Sequence, residues 1–201
     1  MNASLLSIPI AYLLGSIPFG YLLVRIFRKQ DIRTFGSGNI GATNVARSGA
    51  KGLGIATLFL DLGKAYVAVI IARHFGNYDL EVTAAIAAIL GHCFPIWLRF
   101  QGGKGVASAL GICFALSWPS ALAILAVFTI IVLLTRFVSL ASVIAAACLP
   151  LFAFHFVPSR TPIVITGFLL IPLIIIVKHH ANIRRLMAGT ESRFGSRKVL
   201  A

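Results

Sequence analysis

The sequence predicts an all-α polytopic membrane protein of about seven transmembrane helices, with its N-terminus outside and its C-terminus in the cytoplasm. Three observations carry this reading. Of the 201 residues 59% are hydrophobic and only 11% charged, and the mean hydropathy is +0.96, too apolar for a chain that must solvate its own surface. The apolar residues gather into runs near the ~20 residues that cross a bilayer as a helix. The formal charge of +13, from 18 Lys and Arg against five acidic residues, falls between those runs as topology determinants do, not in a stripe that would fit nucleic acid.

In chain order, the expected spans lie near residues 4–24, 53–72, 81–98, 105–117, 119–135, 138–157 and 161–177. The first run, Leu5 to Val24, has no basic segment before it and is long enough to span, so it reads as a helix and not as a cleaved leader. The fourth is short and runs into Trp118-Pro119, which leaves either two helices or one long kinked one. Charge decides between them. With seven crossings, Arg25, Arg28, Lys29, Arg33, Arg47, Lys51, Arg99, Lys104, Arg136, Lys178, Arg184, Arg185, Arg193, Arg197 and Lys198 all fall inside, which is fifteen of the 18. Only Arg73 and Arg160 fall outside, with Lys64 inside the second span. Merging segments four and five would move Arg136 and the tail outward and split the charge almost evenly, against the bias of cytoplasmic loops.

No internal repeat or soluble domain interrupts the chain, so a single transmembrane domain is expected over 1–201, with a basic cytoplasmic tail at 178–201. Cys93, Cys113 and Cys148 are isolated in apolar stretches without metal-ligand spacing and read as buried free thiols. Gly36 to Gly41 spells G-x-G-x-x-G but lacks the strand that a dinucleotide site needs in front of it. Gly102-Gly103-Lys104-Gly105 imitates a phosphate loop, yet Leu98 stands where the first glycine belongs and Gly105 where a Ser or Thr would hold magnesium.

Three polar blocks remain, all cytoplasmic on this topology. The first, Ser37 to Arg47, is dense in glycine, hydroxyl and amide residues: glycines let backbone N–H groups turn toward an anion, and Arg47 adds a planar charged fork. The second runs from Gly91-His92 to Ala107, where a Gly-Lys-Gly turn opens the fourth span and presents unpaired N–H groups beside Lys104. The third leaves the last span as Lys178-His179-His180-Ala181-Asn182, with Arg185 and Glu191 beyond. On a continuing helix, His179, Asn182 and Arg185 share a face. For Arg193, Arg197 and Lys198 a plain positive-inside anchor suffices. Within the second span, Asp61 and Lys64 lie three apart and can pair, which leaves both a structural and a catalytic ion pair open.

These blocks, together with Gly15-Ser16-Ile17-Pro18-Phe19-Gly20 and Leu60-Asp61, resemble the bacterial acyl-phosphate:glycerol-3-phosphate acyltransferase family of small polytopic membrane enzymes, over almost the whole chain. Two departures are Ala65 after Lys64, where glycine is expected, and Lys178 before His179, where arginine is expected. The resemblance implies transfer of a fatty acyl group from acyl phosphate to the sn-1 hydroxyl of glycerol 3-phosphate, in phospholipid biosynthesis at the bacterial inner membrane, with the site facing the cytoplasm. It implies catalytic roles for Ser37, Asn39, Arg47, His179 and Asn182. Substrate contacts would come from Gly38, Gly41, Thr43, Asn44, Lys64, His92, Gly102, Gly103, Lys104, Gly105, Arg185 and Glu191. Backbone N–H groups of either glycine loop are candidates for an oxyanion site. The general base is left open among His179, His92 and the donor's own phosphate. No acidic cluster exists to hold magnesium, so neither metal nor cofactor is expected. His74 and Asp79 match the His-x4-Asp dyad of other glycerolipid acyltransferases, but they fall in an outer loop far from the basic blocks. A transporter of phosphorylated solutes is the rival reading, with Asp61 and Lys64 on its path.

Overall fold

The computed structural model describes residues 3–195, so Arg197 and Lys198 lie outside the described residues. Among these residues the chain forms α-helices and short 3-10 turns, without strands. The helices are α1 (Ala3–Ser16), α2 (Phe19–Arg28), α3 (Ala42–Arg47), α4 (Lys51–Phe75), α5 (Tyr78–Cys93), α6 (Val106–Leu116), α7 (Trp118–Thr135), α8 (Val138–Phe156), α9 (Pro162–Lys178) and α10 (His180–Met187). Five stretches are long and apolar enough to cross a membrane: Leu6–Arg28, Lys51–Phe75, Tyr78–Leu98, Trp118–Thr135 and Val138–Phe156. A sixth appears if the bent pair α9 and α10 is taken as one.

Two expectations change in detail, and one holds with a qualification. The first span is not a single helix. Pro18 lacks an N–H and disfavours helical backbone at residue 17, so α1 stops at Ser16 and α2 starts at Phe19. The Ile17 carbonyl at the break accepts a hydrogen bond from Lys64 Nζ at 2.7 Å, since backbone polar groups at membrane depth must find partners inside the protein. Segments four and five are separate helices: Ser117 ends α6 and caps α7, its hydroxyl accepting from Ser120 N–H. At 11 residues, α6 is too short to span by length alone. Finally, the last span does not continue straight through His179. The chain bends by 57° there, where α9, apolar from Gly167 to Val177, gives way to a short helix carrying Asn182, Arg184 and Arg185.

Two sets of contacts define the ends of the bundle. At one end Arg73 pairs with Glu81 at 2.7 Å and donates to the Ala115 carbonyl, Tyr78 Oη donates to Leu116 O at 3.0 Å, and Thr161 Oγ1 to Asp79 Oδ1 at 2.6 Å. Asp79 is thereby a structural tie at this end, away from the three polar blocks. At the other end Lys178 Nζ donates to Cys93 O at 3.1 Å, Phe194 N–H to Arg136 O at 2.6 Å and Arg47 Nη2 to Ser192 O at 3.2 Å. The basic connections therefore converge on one end of the bundle.

Small residues let the helices approach closely, as expected where lipid removes the hydrophobic drive between them. A Cβ on Gly15 would meet Ala88 O at 2.2 Å, and one on Gly111 would meet Leu62 O at 2.1 Å, so α1–α5 and α4–α6 pack backbone to backbone. The shared core is apolar, from Ala65 and Val69 through Ile89, Ile112 and Leu149 to Ile171. Outside it, Leu133, Leu134, Leu151 and Phe154 stand mostly exposed, a surface suited to lipid and not to water. Cys93 and Cys113 are buried free thiols, and Cys148 is partly buried and free.

Candidate active site

The first polar block is held in shape by Asn44, which is 3% exposed. Its Nδ2 donates to the carbonyls of Ile32, Phe35 and Asn39 at 3.3, 3.0 and 2.8 Å, and its Oδ1 accepts from Ser37 N–H at 3.0 Å. Both polar atoms of Asn44 are thus committed within the loop, so its side chain positions the site instead of reaching for a ligand as expected. Gly38, at φ +70°, is likewise structural: its N–H donates to Phe35 O at 2.9 Å. Asn39 Oδ1 accepts from Gly41 N–H at 2.8 Å. That bond leaves the Asn39 amide nitrogen available beside the hydroxyls of Ser37 and Thr43.

The second block turns on a close approach. Gly103 N–H donates to His92 O at 3.0 Å and Gly102 N–H to Cys93 O at 3.2 Å. A Cβ on Gly103 would fall 2.1 Å from His92 Nε2, so only glycine lets this strand of backbone lie on the imidazole. The N–H groups of Gly102 and Gly103 are therefore engaged and do not form the oxyanion site expected of them. Gly105, at φ +85°, opens α6. The first turn of α6, at Val106 and Ala107, carries the unpaired N–H groups and partial positive charge of a helix start.

The third block meets the second through side chains. Lys104 Nζ donates to Asn182 Oδ1. Asn182 Nδ2 in turn donates to Glu191 Oε1 at 2.7 Å, which also accepts from Ser139 Oγ at 2.7 Å. Glu191 Oε2 takes Arg185 Nε at 2.6 Å. Glu191 thus fixes which way the Asn182 amide faces, and Arg185 acts through Glu191 and not on the cavity. Burial, reinforced by Arg185, Arg47 and Lys178 against the opposing pull of Glu191, brings the Lys104 ammonium down to about 8. Burial likewise lowers His179 to about 4, despite its bond to the Ile175 carbonyl. Since that carbonyl can only accept, His179 Nδ1 donates across the 2.7 Å contact and Nε2 carries the lone pair.

A cavity of about 270 Å³ joins the blocks. Ser37, Asn39, Gly41, Thr43, Asn44, Arg47, His92, Lys104, Gly105, His179, Asn182 and Glu191 all line it, whereas Gly38, Lys64, Gly102, Gly103 and Arg185 stand behind the wall. Lys64 is buried and pairs with Asp61 Oδ1 at 2.7 Å. Sequence reasoning missed part of the lining. Ser139 and Ser142, three apart in the largely apolar α8, line the cavity; Asp61, whose pair with Lys64 the sequence leaves open between a structural and a catalytic role, lines it as well. Below the polar chamber the wall becomes apolar, with Leu58, Leu110, Ile124, Leu125, Phe128 and Ala145. Leu58 on α4 and Leu125 on α7 are also more than a third exposed.

A cationic chamber at one end of an apolar helix bundle, continuous with an apolar slot, suits an amphiphile with an anionic head. This is the architecture of a membrane enzyme that brings phosphorylated and acyl-bearing compounds together. A family model described as glycerol-3-phosphate acyltransferase matches residues 5–189. Among similar proteins are glycerol-3-phosphate acyltransferases of Rhodopseudomonas palustris (strain BisB5), 46% identical over 94% of this chain and 95% of that one, and of Mesorhizobium japonicum, 47% identical over 96% and 97%. The solved structure of PlsY, an integral membrane glycerol 3-phosphate acyltransferase, superimposes in its glycerol 3-phosphate form with a TM-score of 0.91, at 40% identity over 98% of both chains. Its lysophosphatidic acid form gives a TM-score of 0.87 at 39% identity over 96% of both. The chain belongs to the glycerol-3-phosphate acyltransferase family and is an acyltransferase.

Proposed function

We propose that the protein transfers a fatty acyl group from acyl phosphate to the sn-1 hydroxyl of glycerol 3-phosphate, at the cytoplasmic face of a bacterial inner membrane, releasing lysophosphatidic acid and phosphate. The observation that carries this is the continuity of the cavity: Lys104, Arg47 and the start of α6 offer charge to phosphate, while Phe128, Leu125 and Ile124 offer an apolar slot to an acyl tail. Leu58 and Leu125 both line the cavity and are more than a third exposed, which gives a long tail a way on toward the bilayer. The clustering of basic connections at the site end favours seven crossings with that end in the cytoplasm.

The hydroxyl oxygen forms a bond to the acyl carbon as the carbon–oxygen bond to phosphate breaks, and the electron pair leaves with phosphate. Ser37, Asn39 and Asn182 orient the donor, and N–H groups of the first turn of α6 sit where charge develops on the acyl oxygen. The proton of the hydroxyl needs an acceptor. Glu191 is occupied by three donors, and His179 at about 4 is a weak base. A phosphate oxygen, with a second pKa of about 6, is the stronger one. His179 therefore aligns the hydroxyl through Nε2, and phosphate takes the proton.

Purified protein in detergent, with labelled glycerol 3-phosphate and either acyl phosphate, acyl-CoA or acyl carrier protein as donor, should give organic-phase product from acyl phosphate alone. Detergent removes any transport readout, so lack of product with acyl phosphate sinks the reading. His179→Ala should lower kcat while leaving the pH profile unchanged; loss of the acid limb would instead make it the base.

A further inference from the structure

We infer that Asp61 accepts the central hydroxyl of glycerol 3-phosphate and so sets which phosphorylated alcohol receives the acyl group; the inference rests on the reaction proposed above. Asp61 is 3% exposed, projects from α4, and lines the cavity. Its Oδ1 is charge-paired with Lys64 at 2.7 Å but takes no properly directed hydrogen bond. His92 Nδ1 lies 3.6 Å away, beyond hydrogen-bond length, and is also without a partner. Buried polar atoms are almost always hydrogen-bonded, and an acidic side chain at membrane depth is costly unless it serves a purpose. Both residues line the cavity, and their unmet atoms close behind its surface mark a place for a ligand group.

The chemistry of the remaining wall narrows what that group is. Lys104, Arg47 and the Asn39 amide nitrogen are donors, matched to phosphate. An alcohol needs an acceptor. The cavity has two carboxylates, Asp61 and Glu191, and Glu191 is filled by Ser139, Asn182 and Arg185. The His179 lone pair serves the reacting hydroxyl. Asp61 is then the carboxylate left for the spectator hydroxyl, with the unpartnered His92 Nδ1 beside it. The position fits: Ser108 Oγ donates to Asp61 O at 3.1 Å, which sets Asp61 beside the first turn of α6, the helix that Lys104 and Gly105 lead into. Phosphate at Lys104 and the glycerol carbons pointing toward Asp61 satisfy both ends. No proton is transferred at this contact; the hydroxyl keeps its hydrogen and donates it to Oδ1.

The test compares glycerol 3-phosphate with 3-hydroxypropyl phosphate, which keeps the reacting hydroxyl and phosphate and lacks only the central hydroxyl. Acyl phosphate is held saturating, and kcat/KM is measured for both acceptors. The wild-type enzyme should prefer glycerol 3-phosphate by about 10- to 100-fold, the range of a hydrogen bond to a charged group. Asp61→Asn should shrink that preference to about threefold or less, as expected when the charge-assisted part of the bond is gone. Asp61→Asn with Lys64→Gln, which keeps the buried charge balanced and a donor for Ile17 O, should do the same. A purely structural role would lower both acceptors equally and leave the ratio untouched, which overturns the inference. So does a wild-type enzyme that uses both acceptors alike, even if neither variant folds. Failure of wild type with glycerol 3-phosphate itself would instead remove the reaction on which the inference rests.

Discussion

The Lys104 ammonium should make acyl transfer fall off in mild alkali. Burial places it at about 8, well below an exposed lysine near 10.4. The sign follows directly: below about 8 the group is charged and attracts phosphate, and above it the charge disappears. At pH 7 roughly nine-tenths of the free enzyme carries the ammonium, and at pH 9 roughly one-tenth, so kcat/KM for glycerol 3-phosphate should drop about tenfold across that interval. The substrate phosphate, with a second pKa of about 6, is already roughly nine-tenths in its dianion form at pH 7, so it changes by only about a tenth across the interval, and in the opposite direction. Initial rates of labelled product at limiting glycerol 3-phosphate, taken in half-unit steps of pH, read the effect. Lys104→Arg should be slower, because a planar fork replaces a point charge against Asn182, yet its profile should be flat from pH 7 to 9. A flat wild-type profile, or an alkaline limb that survives in the arginine variant, refutes the assignment.

The same burial acts on folding in the opposite sense, since charging Lys104 is harder in the folded state. Its contribution to stability should therefore improve as pH rises from about 8 toward 10.4, and bound phosphate should cancel this in thermal unfolding scans. Glu191→Gln removes the charge from a carboxylate that accepts from Ser139, Asn182 and Arg185. It should destabilise the protein by about 1.5–3 kcal/mol and raise the KM for glycerol 3-phosphate by loosening Asn182. Glu191 is held below its ordinary carboxylate range, burial opposing and Ser139, Asn182 and Arg185 prevailing. Its stabilisation is thus present at neutral pH and lost on acidification, a slope that Glu191→Gln should flatten. Gly103→Ala puts a methyl group 2.1 Å from His92 Nε2, and overpacking of this kind costs about 1–3 kcal/mol. The Lys104 loop should shift, with kcat/KM falling at least tenfold while the detergent-extracted protein remains monodisperse. Leu125→Trp should narrow the apolar part of the cavity, so that long-chain acyl phosphates lose more activity than short-chain ones; equal losses would place the tail elsewhere.

Much of this architecture was legible before any coordinates. Apolar run length and the placement of Arg and Lys depend on the bilayer as solvent, which acts on each segment separately, so six of the expected spans reappear as single helices close to their expected limits. The break at Pro18 was marked by its own residue type, yet the partner that makes it tolerable, Lys64, is 47 residues away. Twelve of the expected site residues share the cavity because they sit in polar blocks that the bundle gathers at one end. Ser139 and Ser142 went unnoticed because a serine in an apolar helix gives no sign of which side it faces. Asn44, Gly102 and Gly103 looked like ligand contacts, since amides and glycines bind anions and fold loops equally well.

The solvent of this protein, the basic end of its bundle and its family all follow from hydropathy, charge and motif order, which are properties of the linear chain. Which polar groups are free to act is a matter of packing. A polar group has a finite number of hydrogen-bond partners, and whether Asn44, Glu191 or Asp61 has already met its own depends on chains of contact between residues 5 to 78 positions apart. That accounting turns Asn44 and Glu191 into supports and leaves Asp61, almost out of sight in an apolar helix, facing the substrate.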